Sequence, residues 1–168
     1  ILKDGKIKPM YTHQYFADRN TVNSYPELVP MLLQDLKVRR TINVVDKKVM
    51  ILQCGETSIL RNQQSEGNRA VFCLDDDNLK ADFEKLLGSV DIVLNPIHTP
   101  QEGNQSKHKE RRKVLSSGGR PYLSVANVKT ENYQAQSVHY VAVDGQEMAK
   151  EPGNMQTNKQ YCTWIYDK

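Results

Sequence analysis

The chain has 168 residues, of which 38% are hydrophobic and 26% are charged, and its net charge is +3. This length fits one domain with a buried core, because domains usually contain roughly 100–200 residues. The mean hydropathy is −0.65, and no apolar run approaches the roughly 20 residues that cross a bilayer, so we expect no membrane association. A pI near 8.7 is too mildly basic to indicate nucleic-acid binding by itself.

The cysteines bear on the cellular compartment and on metal binding. Cys54, Cys73 and Cys162 are odd in number, lie far apart and form no CxxC motif or Cys/His cluster. This pattern predicts neither a disulfide framework nor a zinc site. We therefore expect a cytoplasmic protein without a metal or other cofactor. The chain begins with Ile1 and no signal segment follows it, so we expect its natural N-terminus to lie upstream.

The first forty residues predict a hairpin, an irregular stretch and a helix. An Asp-Gly pair at residues 4–5, between short apolar or basic pieces, is typical of a tight hairpin turn. Residues 12–26 are polar and predict no regular element. Residues 26–38 carry leucines at helical spacing, although Pro30 favours a helix confined to the later part of this segment.

The middle of the chain alternates strands and helices. Residues 41–54 contain two β-branched runs separated by charged residues, which predicts a hairpin whose second strand ends on Cys54. A helix follows at residues 78–89, with Asn78 as its cap and a glycine where it ends. Residues 90–96 form a nearly continuous apolar run, which is typical of a strand buried on both faces. A helix that leads into a buried strand indicates an α/β fold.

The last third predicts one helix and several strands. The run KHKERRK starts a basic helix that two glycines end at residues 118–119. Three strands are predicted at residues 121–128, 137–146 and 160–167, the second of them with an Asp-Gly turn. The chain therefore closes with antiparallel strands.

Several of these segments also carry motifs that occur together in one protein family. Cys54-Gly55-Glu56 joins a strand-ending cysteine to a small residue and an acid, and Asp91 to Pro96 reads DIVLNP. An arginine-bearing helix with Arg111 and Arg112 follows, and then a strand that ends in Asn127. Over about residues 42–148, the order and spacing of these motifs resemble the nitrilase or carbon-nitrogen hydrolase superfamily.

The resemblance implies a fold, an activity and an assembly. The fold is α/β, a four-layer α-β-β-α sandwich of the nitrilase type, with residues 1–168 as a single domain that lacks its N-terminal strands. The activity is hydrolysis of a non-peptide C–N bond, in a small-molecule amide or nitrile, through a thioester intermediate. Since members of this family often pair subunits so that their sheets stack, we expect a homo-oligomer. Nucleic acid and membranes are not expected partners.

The resemblance also assigns catalytic residues. Cys54 is the nucleophile, Lys8 stabilises the oxyanion, and Glu27 matches a second glutamate that positions the other two groups. The general-base glutamate of the family precedes the lysine, whereas residues 1–7 contain no glutamate. The base therefore has no counterpart in this chain.

Three further residues are expected to bind substrate. They are Glu56, His98 and Asn127. The motif does not give Glu56 the role of the base, although it lies two residues after the cysteine. His98 follows the end of a predicted strand, where the sites of α/β proteins usually gather. The resemblance gives one of the two adjacent arginines of the basic helix a structural role against the sheet.

Each assignment has a simpler structural interpretation. Cys54 would be a small buried hydrophobic residue, Lys8 a solvated lysine, Glu27 an acid favoured in the first turn of a helix, and His98 a loop histidine bonded to backbone. The basic run at 107–113 would be a solvated helix face. The alternative function is accordingly a catalytically silent nitrilase-like module, or a basic nucleic-acid-associated domain, in which Cys54 only packs.

Overall fold

The structure is a mixed α/β fold built on one six-stranded sheet. The computed structural model describes residues 13–64, 67–97, 105–126 and 139–148, together with four two-residue strands. These strands are β1 (Leu2–Lys3), β2 (Lys6–Ile7), β11 (Gln156–Thr157) and β12 (Cys162–Thr163). The other strands are β3 (Thr41–Val44), β4 (Lys47–Ile51), β5 (Leu60–Gln63), β6 (Arg69–Phe72), β7 (Ile92–Ile97), β8 (Tyr122–Ala126), β9 (His139–Val143) and β10 (Gln146–Glu147). The helices are α1 (Arg19–Ser24), α2 (Leu28–Val38), α3 (Asp77–Gly88), α4 (Gln105–Leu115) and a 3₁₀ helix (Cys54–Ile59).

The main sheet has three parallel strands at its centre. Its strand order is β10-β9-β8-β7-β4-β3. Strands β4, β7 and β8 run parallel, while β3, β9 and β10 pair antiparallel at the two sides. Helix α3 connects β4 to β7 and helix α4 connects β7 to β8, because parallel neighbours require a crossover connection. The predicted α/β organisation is thus confirmed.

One face of this sheet forms the hydrophobic core. Met50, Val93 and Tyr122 belong to three adjacent strands and are paired in register. They share one buried cluster with Phe83 of α3 and Leu115 of α4. Both crossover helices therefore cover the same face of the sheet.

Helix α2 is longer at its start than the sequence predicts. It begins at Leu28 and contains Pro30 in its first turn. The backbone N–H groups of the first turn have no intrahelical acceptor, so a proline there breaks no hydrogen bond. The expectation that Pro30 confines the helix to later residues was wrong. Four apolar side chains of the helix are buried: Val29, Leu32, Leu33 and Leu36.

Several other element boundaries differ from the prediction, and capping hydrogen bonds explain those of the helices. Residues 12–26, expected to be irregular, contain α1, whose first turn is capped by the Asp18 carboxylate through the Thr21 N–H at 2.9 Å. Asp76 rather than Asn78 caps α3. Strand β4 ends at Ile51, before Cys54. The hairpin of β5 and β6 was not predicted, because it has little alternation of apolar and polar residues.

Two hairpins and one strand predicted toward the ends of the chain are present in the structure. Strands β1 and β2 pair antiparallel, which confirms the opening hairpin. Strand β8 confirms the predicted strand at 121–128, and β9 with β10 confirms the Asp-Gly hairpin. Arg112 is buried, with its Cζ atom 3.8 Å from the centre of the Tyr140 ring on β9. This contact agrees with the structural role expected for one of the two arginines.

Candidate functional site

Three parallel strands end at the edge of the sheet where the candidate residues follow. The carboxyl ends of parallel strands meet at one edge, which is where α/β proteins usually place their sites. Cys54 comes three residues after β4 ends at Ile51. Strands β7 and β8 end on the paired residues Ile97 and Ala126. His98 and Asn127, which come next in the sequence, lie outside the described residues.

The backbone at Cys54 adopts an unusual conformation. Cys54 has a φ angle of +30°, in the left-handed region that non-glycine residues rarely occupy. Among the described non-glycine residues, Val45, Asn68 and Asp144 also have positive φ, but these three lie in the turns of β-hairpins, which favour that conformation. Cys54 instead starts the 3₁₀ helix. Backbone strain of this kind clusters at functional sites in proteins, so Cys54 is the candidate residue here.

The glycine after the cysteine is required by close packing. A Cβ atom on Gly55 would lie 1.6 Å from the Ala17 carbonyl oxygen, which is far inside van der Waals contact. Only glycine allows the segment before α1 to approach the turn this closely. The turn that carries Cys54 therefore packs directly against the backbone of Ala17. The Cys54 side chain remains partly exposed.

A buried asparagine holds the turn from the sheet side. The Asn95 side chain on β7 donates to the carbonyl of Leu52 at 2.8 Å and to the carbonyl of Cys54 at 3.3 Å. Its own oxygen accepts from the Tyr122 hydroxyl at 2.8 Å. Burial raises the pKa of Tyr122, so this hydroxyl stays protonated and remains a donor. Sequence reasoning read Asn95 only as part of a strand motif, although a polar residue inside an apolar run was the available signal.

A buried ion-pair network lies directly behind the turn. Arg40 is fully buried and donates from Nε to Asp35 at 2.6 Å and from Nη1 to Glu56 at 2.6 Å. Its Nη2 atom donates to the carbonyl of His13. The Glu56 carboxylate also accepts the backbone N–H of Tyr15 at 2.9 Å and that of Gln53 at 2.8 Å. The network thus connects α2, the segment before α1 and the 3₁₀ helix.

The environment of Glu56 favours a positioning role. Its side chain is fully buried and its oxygens are occupied by donors from three residues. Burial raises the pKa of Glu56, while the hydrogen bonds from Tyr15 and Gln53 and the charge of Arg40 act in the opposite direction. A substrate would have to displace these donors to touch the carboxylate. Glu56 therefore orients the turn that carries Cys54, and direct substrate binding by Glu56 stays a prediction.

Glu27, the other predicted catalytic residue that the structure describes, is not part of this arrangement. Glu27 is exposed at the start of α2, and its side chain makes no capping hydrogen bond. No described hydrogen bond or ion pair joins Glu27 to Cys54 or Glu56. Lys8 lies outside the described residues. Of the three predicted site residues that the structure describes, Glu27, Cys54 and Glu56, it brings together the last two.

The second described cysteine has a different environment. Cys73 is buried, and this burial raises the pKa of its thiol to about 11. Its thiol is therefore protonated near neutral pH and is shielded from reagents.

Within the described part of the chain, no group of three or more His, Cys, Asp or Glu side chains is placed to hold a metal ion. No described helix combines the length and the apolar character that a bilayer crossing requires.

Comparison with known proteins returns no match: no family model, curated protein or solved structure corresponds to this chain.

Proposed function

We propose that the protein is a cysteine hydrolase that cleaves a non-peptide C–N bond in a small amide or nitrile. The observation that carries this proposal is the backbone of Cys54, which holds φ at +30° just beyond the end of a central parallel strand. A strained turn at this position presents a nucleophile at the sheet edge, as in other hydrolases whose nucleophile sits on a tight strand-to-helix turn. The partly exposed Cys54 side chain is compatible with attack on a small substrate.

The chemistry proceeds through a thioester. With an amide, the Cys54 thiolate forms a bond to the amide carbon, the C–N bond breaks, and the nitrogen leaves after accepting the proton that the thiol lost. With a nitrile, the thiol adds across the C≡N bond to give a thioimidate, and water converts this to the same thioester with release of ammonia. Water then attacks the thioester and releases the carboxylic acid and the thiol. By the family resemblance, Lys8 stabilises the oxyanion, Glu27 positions the catalytic groups, and His98 and Asn127 line the substrate pocket.

The proposed fold around this site is the four-layer α-β-β-α sandwich. On the sheet face opposite the helices, four aliphatic residues are paired side by side across four adjacent strands. They are Ile51, Leu94, Leu123 and Val141. These four side chains are only partly buried. A second sheet packs on such a face through interdigitating apolar side chains. Stacking of sheets between subunits is the corresponding proposal for a homo-oligomer.

Selective alkylation tests the proposed nucleophile. The protein is treated with iodoacetamide near neutral pH, and mass spectrometry follows the labelled peptides over time. We expect Cys54 to react much faster than Cys73, because Cys73 is buried and its pKa is raised to about 11. Equal and slow labelling of both residues would contradict the proposal.

Activity is then measured on a panel of simple amides and nitriles. We expect hydrolysis by the wild type and by Cys73→Ala, loss of hydrolysis in Cys54→Ala, and no loss on addition of EDTA. The Cys54→Ala variant should retain its circular dichroism spectrum. If the wild type hydrolyses nothing and Cys54 is also slow to alkylate, the protein is the catalytically silent module instead.

A further inference from the structure

Two arginines from different helices meet beside the β5–β6 hairpin. Arg111 of α4 donates from Nη1 to the Ser58 hydroxyl at 3.1 Å, and Arg19 of α1 donates from Nη1 to the Cys73 carbonyl at 3.3 Å. The two anchoring points adjoin, because the N–H of Cys73 donates to the carbonyl of Ile59 at 2.9 Å. The two guanidinium groups are therefore brought to one place by separate parts of the fold.

Among the described residues, no carboxylate balances the charge of either arginine. In the described part of the chain, no carboxylate forms an ion pair with Arg19 or Arg111, whereas neighbouring Arg61 pairs with Asp75 at 2.5 Å. Cys73 supplies no negative charge near neutral pH, since burial raises its pKa to about 11. Burial lowers the pKa of Arg111, and the positive charge of Arg19 lowers it further. Two like charges in partly buried positions repel each other, so the arrangement is costly without an anion.

The hydrogen-bonding capacity of Arg111 is also unfilled. A guanidinium group has five N–H donors, and the described structure gives Arg111 one acceptor, the Ser58 hydroxyl. Its Nε atom is buried and has no hydrogen-bond partner among the described residues. A ligand would therefore engage the Nη donors of Arg111, for which Ser58 is the one described acceptor, and not the buried Nε atom. Both arginine side chains are only partly buried, so solvent reaches the pair.

We propose that Arg19 and Arg111 form a binding site for a phosphate group. A phosphate carries close to two negative charges and several acceptor oxygens, and it therefore neutralises both arginines at once. The planar guanidinium fork matches phosphate oxygens in a way that a single lysine does not. The Ser58 hydroxyl, on the 3₁₀ helix, accepts from Arg111 and offers one further polar contact. Phosphate binding at these arginines does not require the thiol chemistry proposed for Cys54.

Phosphate titration of the whole protein tests the site. Inorganic phosphate is added at constant ionic strength, with chloride as the replaced anion, and binding is followed by calorimetry and by the thermal midpoint. We expect saturable binding by the wild type. Arg111→Gln and Arg19→Gln should each weaken it about tenfold or more, the loss that corresponds to one charge-assisted hydrogen bond. Arg111→Lys, which keeps the charge but loses the fork, should bind with intermediate affinity.

Lys109→Gln is the matched control, because it removes one positive charge from an exposed position of the same helix. We expect it to bind phosphate like the wild type. Equal weakening by all the charge-removing variants would show a general charge effect and would overturn the proposal, as would the absence of saturable binding to the wild type. Glycerol phosphate is then titrated in the same way. Binding of both probes indicates a site for phosphomonoesters, whereas binding of inorganic phosphate alone indicates a site for free phosphate. If Arg111→Gln does not fold, Arg19→Gln on the short surface helix gives the same test independently.

Discussion

Single residues decide the geometry of the candidate site. Cys54 holds a positive φ angle, whereas its neighbour Gln53 has an ordinary extended conformation with φ at −87°. Gly55 is needed for the contact with the Ala17 carbonyl. The three adjacent positions thus need an extended backbone, a positive φ angle and the absence of a Cβ atom. A positive φ angle is sterically unfavourable for cysteine, as it is for other non-glycine residues.

The backbone strain at Cys54 can be measured with two substitutions of this residue. We expect Cys54→Gly to be more stable than Cys54→Ala by about 1 kcal/mol, because only glycine adopts positive φ without steric cost. Urea denaturation of both variants gives the difference in the free energy of unfolding. The control is the same pair of substitutions at Gln53, where alanine should be the more stable. The same order at both positions would show that the Cys54 backbone is not strained.

Glu56 makes stability depend on pH in an unusual direction. Burial raises its pKa above the ordinary value of 4.5, so the folded chain holds this proton more tightly than the unfolded chain does. The stability that the residue contributes is therefore fully present below pH 4.5 and is lost as pH rises through the folded-state pKa. This is opposite to the behaviour of an acid whose pKa is lowered on folding.

A comparison with Glu56→Gln isolates this effect. We expect the stability advantage of the wild type over the variant to shrink as the pH increases above 4.5 and then to level off. The measurement is urea denaturation at a series of pH values from about pH 4 to pH 8. An advantage that grows with pH would mean that the Arg40 ion pair outweighs the cost of burial.

At the scale of elements, capping hydrogen bonds decide where helices begin. The Asp76 carboxylate accepts the backbone N–H groups of Asn78 and Leu79, both at 3.0 Å. Asn78 lies inside α3, where its side chain caps nothing in the structure. Both residues are common caps, so the choice between them depends on where the preceding chain enters the helix.

The position of the cap is tested by alanine substitutions. We expect Asp76→Ala to lower the free energy of unfolding by about 1 kcal/mol, because two backbone donors lose their acceptor. Asn78→Ala should cost much less, since alanine has the higher helix propensity. Thermal or urea denaturation of the two variants measures both changes in the free energy of unfolding. A larger loss in Asn78→Ala would place the cap where the sequence predicted it.

At the scale of the whole molecule, one side chain joins the two crossover helices. Arg120 is buried and donates from Nη1 to the Leu87 carbonyl in α3 at 2.5 Å and from Nε to the Leu115 carbonyl in α4 at 3.0 Å. Carbonyl groups at the carboxyl end of a helix lack intrahelical partners and carry partial negative charge. A single guanidinium therefore satisfies both helix ends just before the chain enters β8.

Removal of this link should be costly. We expect Arg120→Ala to lower the free energy of unfolding by about 2–3 kcal/mol, because two charge-assisted hydrogen bonds are lost. Arg120→Lys should restore little, since one ammonium group does not span two carbonyls in fixed directions. The control is Lys37→Ala, which removes an exposed ion pair between α2 and α3 and should cost less than about 1 kcal/mol. Equal losses in Arg120→Ala and Lys37→Ala would refute this account.

The sequence by itself determined the elements whose signal is local. Helical spacing of leucines predicted α2, an apolar run predicted β7, and Asp-Gly turns predicted both the opening hairpin and the turn after β9. It also singled out Cys54 and Gly55. These features depend on side-chain periodicity and turn preferences within a few residues, which is why they can be read without the fold.

Only the tertiary structure decided what surrounds the cysteine. Arg40 and Glu56 are 16 positions apart and are joined by a buried ion pair, and Asn95 reaches the Cys54 carbonyl from a strand 41 positions away. Arg19 and Arg111 meet because two different helices pack beside one hairpin. No local pattern carries such contacts, because the cost of burying a polar group is offset only by the partner that the fold brings to it.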